Sequence, residues 1–131
     1  MRNPRISGLT LDTGALLALD QPAKSHLMQT RIDELRHRRG TLCIPAGVVA
    51  QAWRSPRQVR LGRLIKSFDV EIAVMDLDVA RSVGLLCAAT GHGDVIDLHL
   101  VLCARERGHA VVTSDLNDIS RVDPSLVLFS V

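Results

Sequence analysis

The segment GDVIDLHLVLCA, residues 93–104, places an aspartate, Asp97, in a run that is otherwise almost wholly apolar from Val95 to Ala104 and reads as a buried helix. A carboxylate in that setting costs on the order of several kcal/mol unless something pairs with it. Other acids stand where they could supply the reason. Asp12 directly follows the short apolar strand Leu9–Leu11, and Asp115 follows the strand Ala110–Thr113 through Ser114. If those strands are sheet neighbours, both carboxylates lie at one edge. Asp94 and Asp97 are three residues apart and share a helix face, about 60° apart at 100° per residue. His99 falls about 160° from Asp97 on the same projection and points elsewhere.

Carboxylates that converge without a cation repel one another. Hard divalent ions such as Mg²⁺ take carboxylate and water oxygens in octahedral geometry, so three or four of these acids would make a site for one. Such an ion would remove the burial problem at Asp97 and act as a Lewis acid in phosphate chemistry. Each acid also has an ordinary reading. Asp94 after Gly93 and Asp12 before Thr13 suit helix N-caps, and Asp115 and Asp118 suit a polar turn in TSDLND. Asp97 is the hardest to explain that way, since a first-turn position only partly excuses its charge.

Basic residues form a second set. Arg54, Arg57, Arg60, Arg63 and Lys66 recur every third residue. On the helix after Pro56, Arg60, Arg63 and Lys66 flank an apolar stripe of Leu61, Leu64, Ile65 and Phe68. Either this is a solvated face, or Arg54, Arg60, Arg63 and Lys66 form a phosphate-guiding surface, because arginine forks match phosphate oxygens. Arg36, His37, Arg38 and Arg39 crowd a helix C-terminus, where cations are favoured in any case. Trp53, the sole tryptophan, suits core packing or an anchor for a partner. His92, between two glycines, reads most simply as a turn residue.

These side chains need positioning elements. Helices are expected at 13–19, 23–38, 45–54, from Pro56 to about Phe68, 78–90, 94–107 and near 117–121. Strands are expected at 9–11, 41–44, 70–74, 110–113 and 126–130. Leu27, Met28, Ile32 and Leu35 mark the inner face of the second helix, which Gly40 stops. Pro45 suits the first turn of the third, Asp76 or Asp78 caps the helix at 78–90, and Gly108 closes the one after it. Short aliphatic strands alternating with helices predict an α/β fold with a mainly parallel sheet covered on both faces. In such sheets ligands collect at the carboxyl ends of the strands.

Composition narrows the rest. A chain of 131 residues with 47% hydrophobic and 23% charged residues is expected to be one soluble domain, 1–131, and its net charge of +2 points to no partner. With three aromatic residues and no tyrosine, base stacking is a poor way for it to hold nucleic acid. Cys43, Cys87 and Cys103 lie in apolar segments with no C-x-x-C spacing and read as reduced core thiols of a cytoplasmic protein. The start, MRNPRISG, lacks the apolar region of a signal peptide, and no apolar run is long enough for a bilayer. Neither G-x-G-x-x-G nor a P-loop occurs. A phosphoryl-accepting domain would need an aspartate after the middle strand and a lysine after a later one. The strand at 70–74 ends in Val74-Met75, and no lysine follows Lys66.

In their order along nearly the whole chain, LTLDTGALLAL, GDVIDLHLVLCA and AVVTSDLNDI resemble PIN domains, the VapC-type toxins of bacterial toxin–antitoxin pairs most of all. The resemblance implies a three-layer α/β/α fold and a Mg²⁺- or Mn²⁺-dependent endoribonuclease leaving 5′-phosphate and 3′-hydroxyl ends. It also implies homodimerisation and a cognate antitoxin that occupies the groove and active site. By motif, Asp12, Asp97 and Asp115 match three of the family's acidic ligands. Thr113 matches the hydroxyl residue before the last of them, and Asp94 an additional acid. One departure stands out. In PAGVVAQAWR the position of the family's glutamate is Gln51, which keeps a carbonyl oxygen able to orient water but loses the charge. The alternative expectation is therefore a catalytically weak PIN fold that binds RNA or protein.

Overall fold

The computed structural model describes residues 6–131; the amino-terminal MRNPR, which carries part of the signal-peptide reading, lies outside the described residues. Strand β1 (Gly8–Leu11) leads through Asp12 into α1 (Thr13–Ala18) and α2 (Ser25–His37). Then follow β2 (Thr41–Pro45), α3 (Ala46–Ala52), α4 (Val59–Lys66), β3 (Val70–Ala73) and α5 (Leu77–Thr90). The chain ends with α6 (Val95–Arg107), β4 (His109–Thr113), α7 (Leu116–Val122) and β5 (Leu128–Ser130). The five strands pair in parallel in the order β3-β2-β1-β4-β5.

That order decides the layers. The connections holding α1–α4 step one way from β1, and those holding α5–α7 step back past it. Right-handed crossovers put the two groups on opposite faces, giving an α/β/α sandwich around an all-parallel sheet. The inner strands are buried on both sides, which is why β1 and β4 are inaccessible along their whole length. Helix α6 packs across β4, β1 and β2, with Leu98, Leu100, Val101 and Ala104 fully buried beneath it.

The ends of the elements follow local chemistry. Asp76 is the acid that caps α5, accepting a hydrogen bond from the Val79 amide at 2.9 Å. Gly91 and Gly108 close α5 and α6 in the left-handed conformation, at φ 73° and 67°. The stop after α2 falls one residue earlier than expected, since Arg39 rather than Gly40 takes the left-handed turn at φ 60°. Pro45 ends β2 and precedes α3 as its N-cap, because its fixed φ suits the extended strand equally well.

Three apolar expectations fail at element edges. Leu27 is 71% exposed, since the inner face of α2 is filled by Met28, Ile32 and Leu35. Phe68 lies beyond the end of α4 and is fully exposed, while Leu61 and Leu64 are buried. Cys87 is only half-buried on the outer helix α5. Cys43 and Cys103 do meet in the core with Ala73. They share a hydrogen bond that raises the Cys43 thiol and lowers that of Cys103. His99 is buried and directed to this thiol pair, away from Asp97 as its helical angle requires. The middle strand is β1, not the strand at 70–74, so an aspartate, Asp12, does follow it. The missing lysine still argues against a phosphoryl-accepting domain.

At the opposite end of the sheet, His109 ties three strands. Its Nδ1 pairs with the Thr10 hydroxyl at 3.0 Å and its Nε2 with that of Thr41 at 2.8 Å. Gly8 is required beside it, because a Cβ there would overlap the imidazole and the Thr41 carbonyl. Burial, reinforced by the Arg107 charge, holds the His109 pKa below its ordinary 6.5. The unfolded chain therefore binds the proton first, and stability falls as pH drops below about 6.5 until the native group also protonates. Thermal melts at pH 7.5 and 5.5 should show a larger loss of Tm on acidification for the parent than for His109→Asn; equal losses would exclude this linkage.

Candidate active site at the carboxyl edge of the sheet

The strand order reverses between β1 and β4, and this is where α/β sheets open a crevice beyond their carboxyl ends. Leu11 pairs with Val112 in the ladder, so Asp12 and Thr113 emerge side by side. The ladder extends one step further, with the Asp12 amide donating to the Val112 carbonyl at 3.1 Å.

Asp12 is 9% exposed and fully engaged. It caps α1 by accepting from the Ala15 amide at 2.9 Å, and its other oxygen accepts from the Ser114 amide at 3.3 Å. The Thr113 hydroxyl also donates to it. That same Thr113 oxygen accepts from the Asp115 amide at 2.8 Å, so one fully buried hydroxyl couples the two acids. Gly14 lets the strands' exits close up: a Cβ there would collide with Ser114. Despite these donors, burial pushes the Asp12 pKa above its usual 3.8.

Asp97 stands in the first turn of α6 and is part-buried, its side chain 27% exposed, rather than sealed in the core. Its Oδ2 lies 3.0 Å from Nε2 of His92. His92 is thus more than a turn residue. Gly91 turns the chain in the left-handed conformation just before it, and no periodic pattern announces the contact of its ring with Asp97. Burial raises the Asp97 pKa first of all, the His92 hydrogen bond lowers it, and the charges of Asp94 and Asp115 raise it further. Asp97, Asp94 and Asp115 therefore sense one another although they come from two separate loops.

Asp94 and Asp115 are also the caps expected of them. Asp94 accepts from the amides of Ile96 at 2.9 Å and Asp97 at 3.2 Å. Asp115 accepts from Asp118 at 3.4 Å, and Asp118 pairs with Arg121 on the surface. Gln51 is exposed on the last turn of α3, where its Oε1 accepts a 2.5 Å hydrogen bond from Thr13, the residue after Asp12. Its carbonyl oxygen is therefore already engaged beside the acids. Among the described residues no three His, Cys, Asp or Glu side chains are placed to hold one metal ion together. What fits a hard cation is the chemistry of the donors: oxygen ligands only, with Asp12 and Asp97 both disfavoured as anions by burial.

The basic residues separate. Arg54 donates to the Ala50 and Trp53 carbonyls and finishes α3. Trp53 is half-buried against Gly62 of α4 and joins the core. Arg60 and Arg63 line a cleft with residues of α2, whereas Lys66 is exposed outside it.

A five-stranded parallel sheet flanked by helices on both faces, with acids at the carboxyl edge of β1 and β4, is a PIN-like fold. Two solved structures share it. One is FitAB bound to an IR36 DNA fragment, which superposes with a TM-score of 0.64 at 18% identity over 93% of this chain and 94% of that one. The other is FitAcB from Neisseria gonorrhoeae, with a TM-score of 0.65 at 18% identity over 92% and 96%. At that identity the likeness is one of fold. No protein-family model matches the chain, and no curated protein matches it.

The opposing influences on Asp97 can be separated by carboxyl NMR titration without added metal. His92→Ala should raise the Asp97 pKa, and Asp94→Asn should lower it. Shifts of the opposite sign would mean that these neighbours do not act on Asp97 as placed.

Proposed function

We infer that the chain is a toxin-type endoribonuclease dependent on Mg²⁺ or Mn²⁺, acting at the carboxyl edge of the sheet. The observation that carries this reading is the charge conflict there. Asp97 is raised by burial and by Asp94 and Asp115, beside a buried Asp12 joined to Asp115 through Thr113. Asp12, Asp97 and Asp115, with Asp94 in support, would hold the cation. When bound, it would neutralise these acids and supply Lewis acidity at a phosphodiester.

The remaining roles belong to the chain. Thr113 holds Asp12 and the Asp115 backbone in register. His92 fixes one Asp97 oxygen and so the rotamer of the other. Gln51, anchored by Thr13, presents its amide toward water at the edge of the site. No histidine is required as a base, which accords with His99 facing the thiols. The PIN resemblance extends the proposal to a small cognate antitoxin, a homodimer and a cytoplasmic setting. FitAB, of like fold, is seen with DNA, and a nucleic-acid assembly is in keeping with that. Among the described residues no single helix is long and apolar enough to cross a membrane.

A second reading, a weakly catalytic RNA- or protein-binding module, is favoured by Gln51, which brings no charge and whose oxygen is already bonded to Thr13. Cleavage of a panel of structured RNAs separates the two. Cutting that EDTA abolishes and Mn²⁺ restores supports the nuclease; binding with no cutting under any metal supports the module. Asp97→Asn should reduce cleavage at least about a hundredfold, the scale of losing one group that stabilises transition-state charge; undiminished cutting would remove Asp97 from the site. Gln51→Glu should raise the rate if the absent charge limits it, read as growth arrest on expression and as cleavage at limiting metal.

A further inference from the structure

Outside the acidic edge, a basic concavity lies between α2 and α4. It is a cavity of about 580 Å³ whose lining includes Ser25, His26 and Arg36 from α2, Arg60 and Arg63 from α4, and Ser67 just after it. Among the described residues no carboxylate lines it. Arg36 is engaged by Asp69, through Nε at 2.8 Å and Nη2 at 3.1 Å. Arg60 and Arg63 have no carboxylate partner among the described residues. The Arg60 Nη1 rests only at 3.5 Å from the Leu19 carbonyl, a contact at the limit of a hydrogen bond.

One wall of the cleft is tied to the neighbouring segment. Asp20 accepts from the backbone amides of both Arg60 and Leu61 at 3.1 Å, fixing the first turn of α4 to the segment after α1. Leu61 and Leu64 form the buried face of α4, which leaves Arg60 and Arg63 on its exposed face. The cleft opens at the N-terminal turn of α2, which contains no acid and adds a favourable dipole for an anion. Positively charged forks on a concave wall, with no acid paired to them, suit phosphate oxygens. The scarcity of aromatic side chains argues against recognition by base stacking there.

We propose that the cleft between α2 and α4 binds the phosphate backbone of a single-stranded RNA, with Arg60 and Arg63 as its forks. The choice of RNA rests on the nuclease reading; the phosphate chemistry rests on the cleft alone. The Arg60 backbone amide is held by Asp20, just past the end of the helix that Asp12 begins. The six residues of α1 rise about 9 Å at 1.5 Å per residue. The cleft and the acidic edge are therefore separated by little more than the length of α1. Arg54 and Lys66 are not part of this site: one caps α3 and the other lies outside the lining.

The test is a binding measurement that does not depend on cutting. Asp97→Asn protein in EDTA is titrated with a short labelled single-stranded RNA by fluorescence anisotropy over a range of salt. Adding Arg60→Ala and Arg63→Ala should raise Kd about tenfold or more at low salt and shrink the log–log salt slope by about 1.4, two phosphates at about 0.7 each. The exposed positions of both residues make loss of folding an unneeded explanation, and the double lysine variant should retain the slope. Unchanged affinity and slope in the double alanine variant overturns the proposal, as does a starting protein that binds no RNA at low salt. If oligoglutamate binding is lost in the double alanine variant while RNA binding persists, the cleft serves an acidic protein segment instead. Failure of the nuclease reading would register separately, as absence of metal-dependent cutting by the parent.

Discussion

The carboxylate of Asp12 is the point on which the edge of the sheet is built. It accepts from Ala15 on its own helix and from Ser114 and Thr113 on the neighbouring strand's exit. That one group therefore starts α1, joins the ends of β1 and β4, and sets Asp115 through the Thr113 hydroxyl. The close approach is possible only because residue 14 has no Cβ. The turn of α3 that carries Gln51 is joined to the same junction through Thr13.

Burial and charge oppose each other there. The aliphatic face of α6 presses the helix onto three strands, and its first turn brings Asp97 toward Asp94 and Asp115. The packing energy of the core holds together charges that would otherwise separate. Asp12 and Asp97 are both raised, so the ionised site costs stability as pH rises past the usual carboxylate range. His92 offsets part of this at Asp97. At the other end of the sheet the situation is simpler: His109 is buried neutral between two hydroxyls.

Much of this was legible in the sequence, for identifiable reasons. Acids that immediately follow apolar strands mark strand exits, and the 3.6-residue period sends His99 away from Asp97. Both statements are local. The adjacency of β1 and β4 was a condition in the sequence and became a fact only with the strand order, which also moved the middle of the sheet from residues 70–74 to β1. The His92 contact was not legible, since it depends on how Gly91 and Gly93 fold the loop rather than on spacing. Leu27 and Phe68 misled because periodicity describes an apolar stripe without saying where its neighbour ends. Arg36 read as a helix-end cation, and only the cleft between α2 and α4 brings it together with Arg60 and Arg63.

The three acids Asp12, Asp94 and Asp115 each cap the helix that follows. An amide in place of Asp94 or Asp115 keeps the one oxygen that receives the helix amides while discarding the charge; at Asp12 both oxygens accept, so an amide would set its own N–H group against a backbone donor. Charge and local folding are therefore written into the same atoms at this edge. Asparagine at Asp94 or Asp115 would therefore shed negative charge and keep the local shape, whereas at Asp12 any replacement erodes the architecture together with the chemistry.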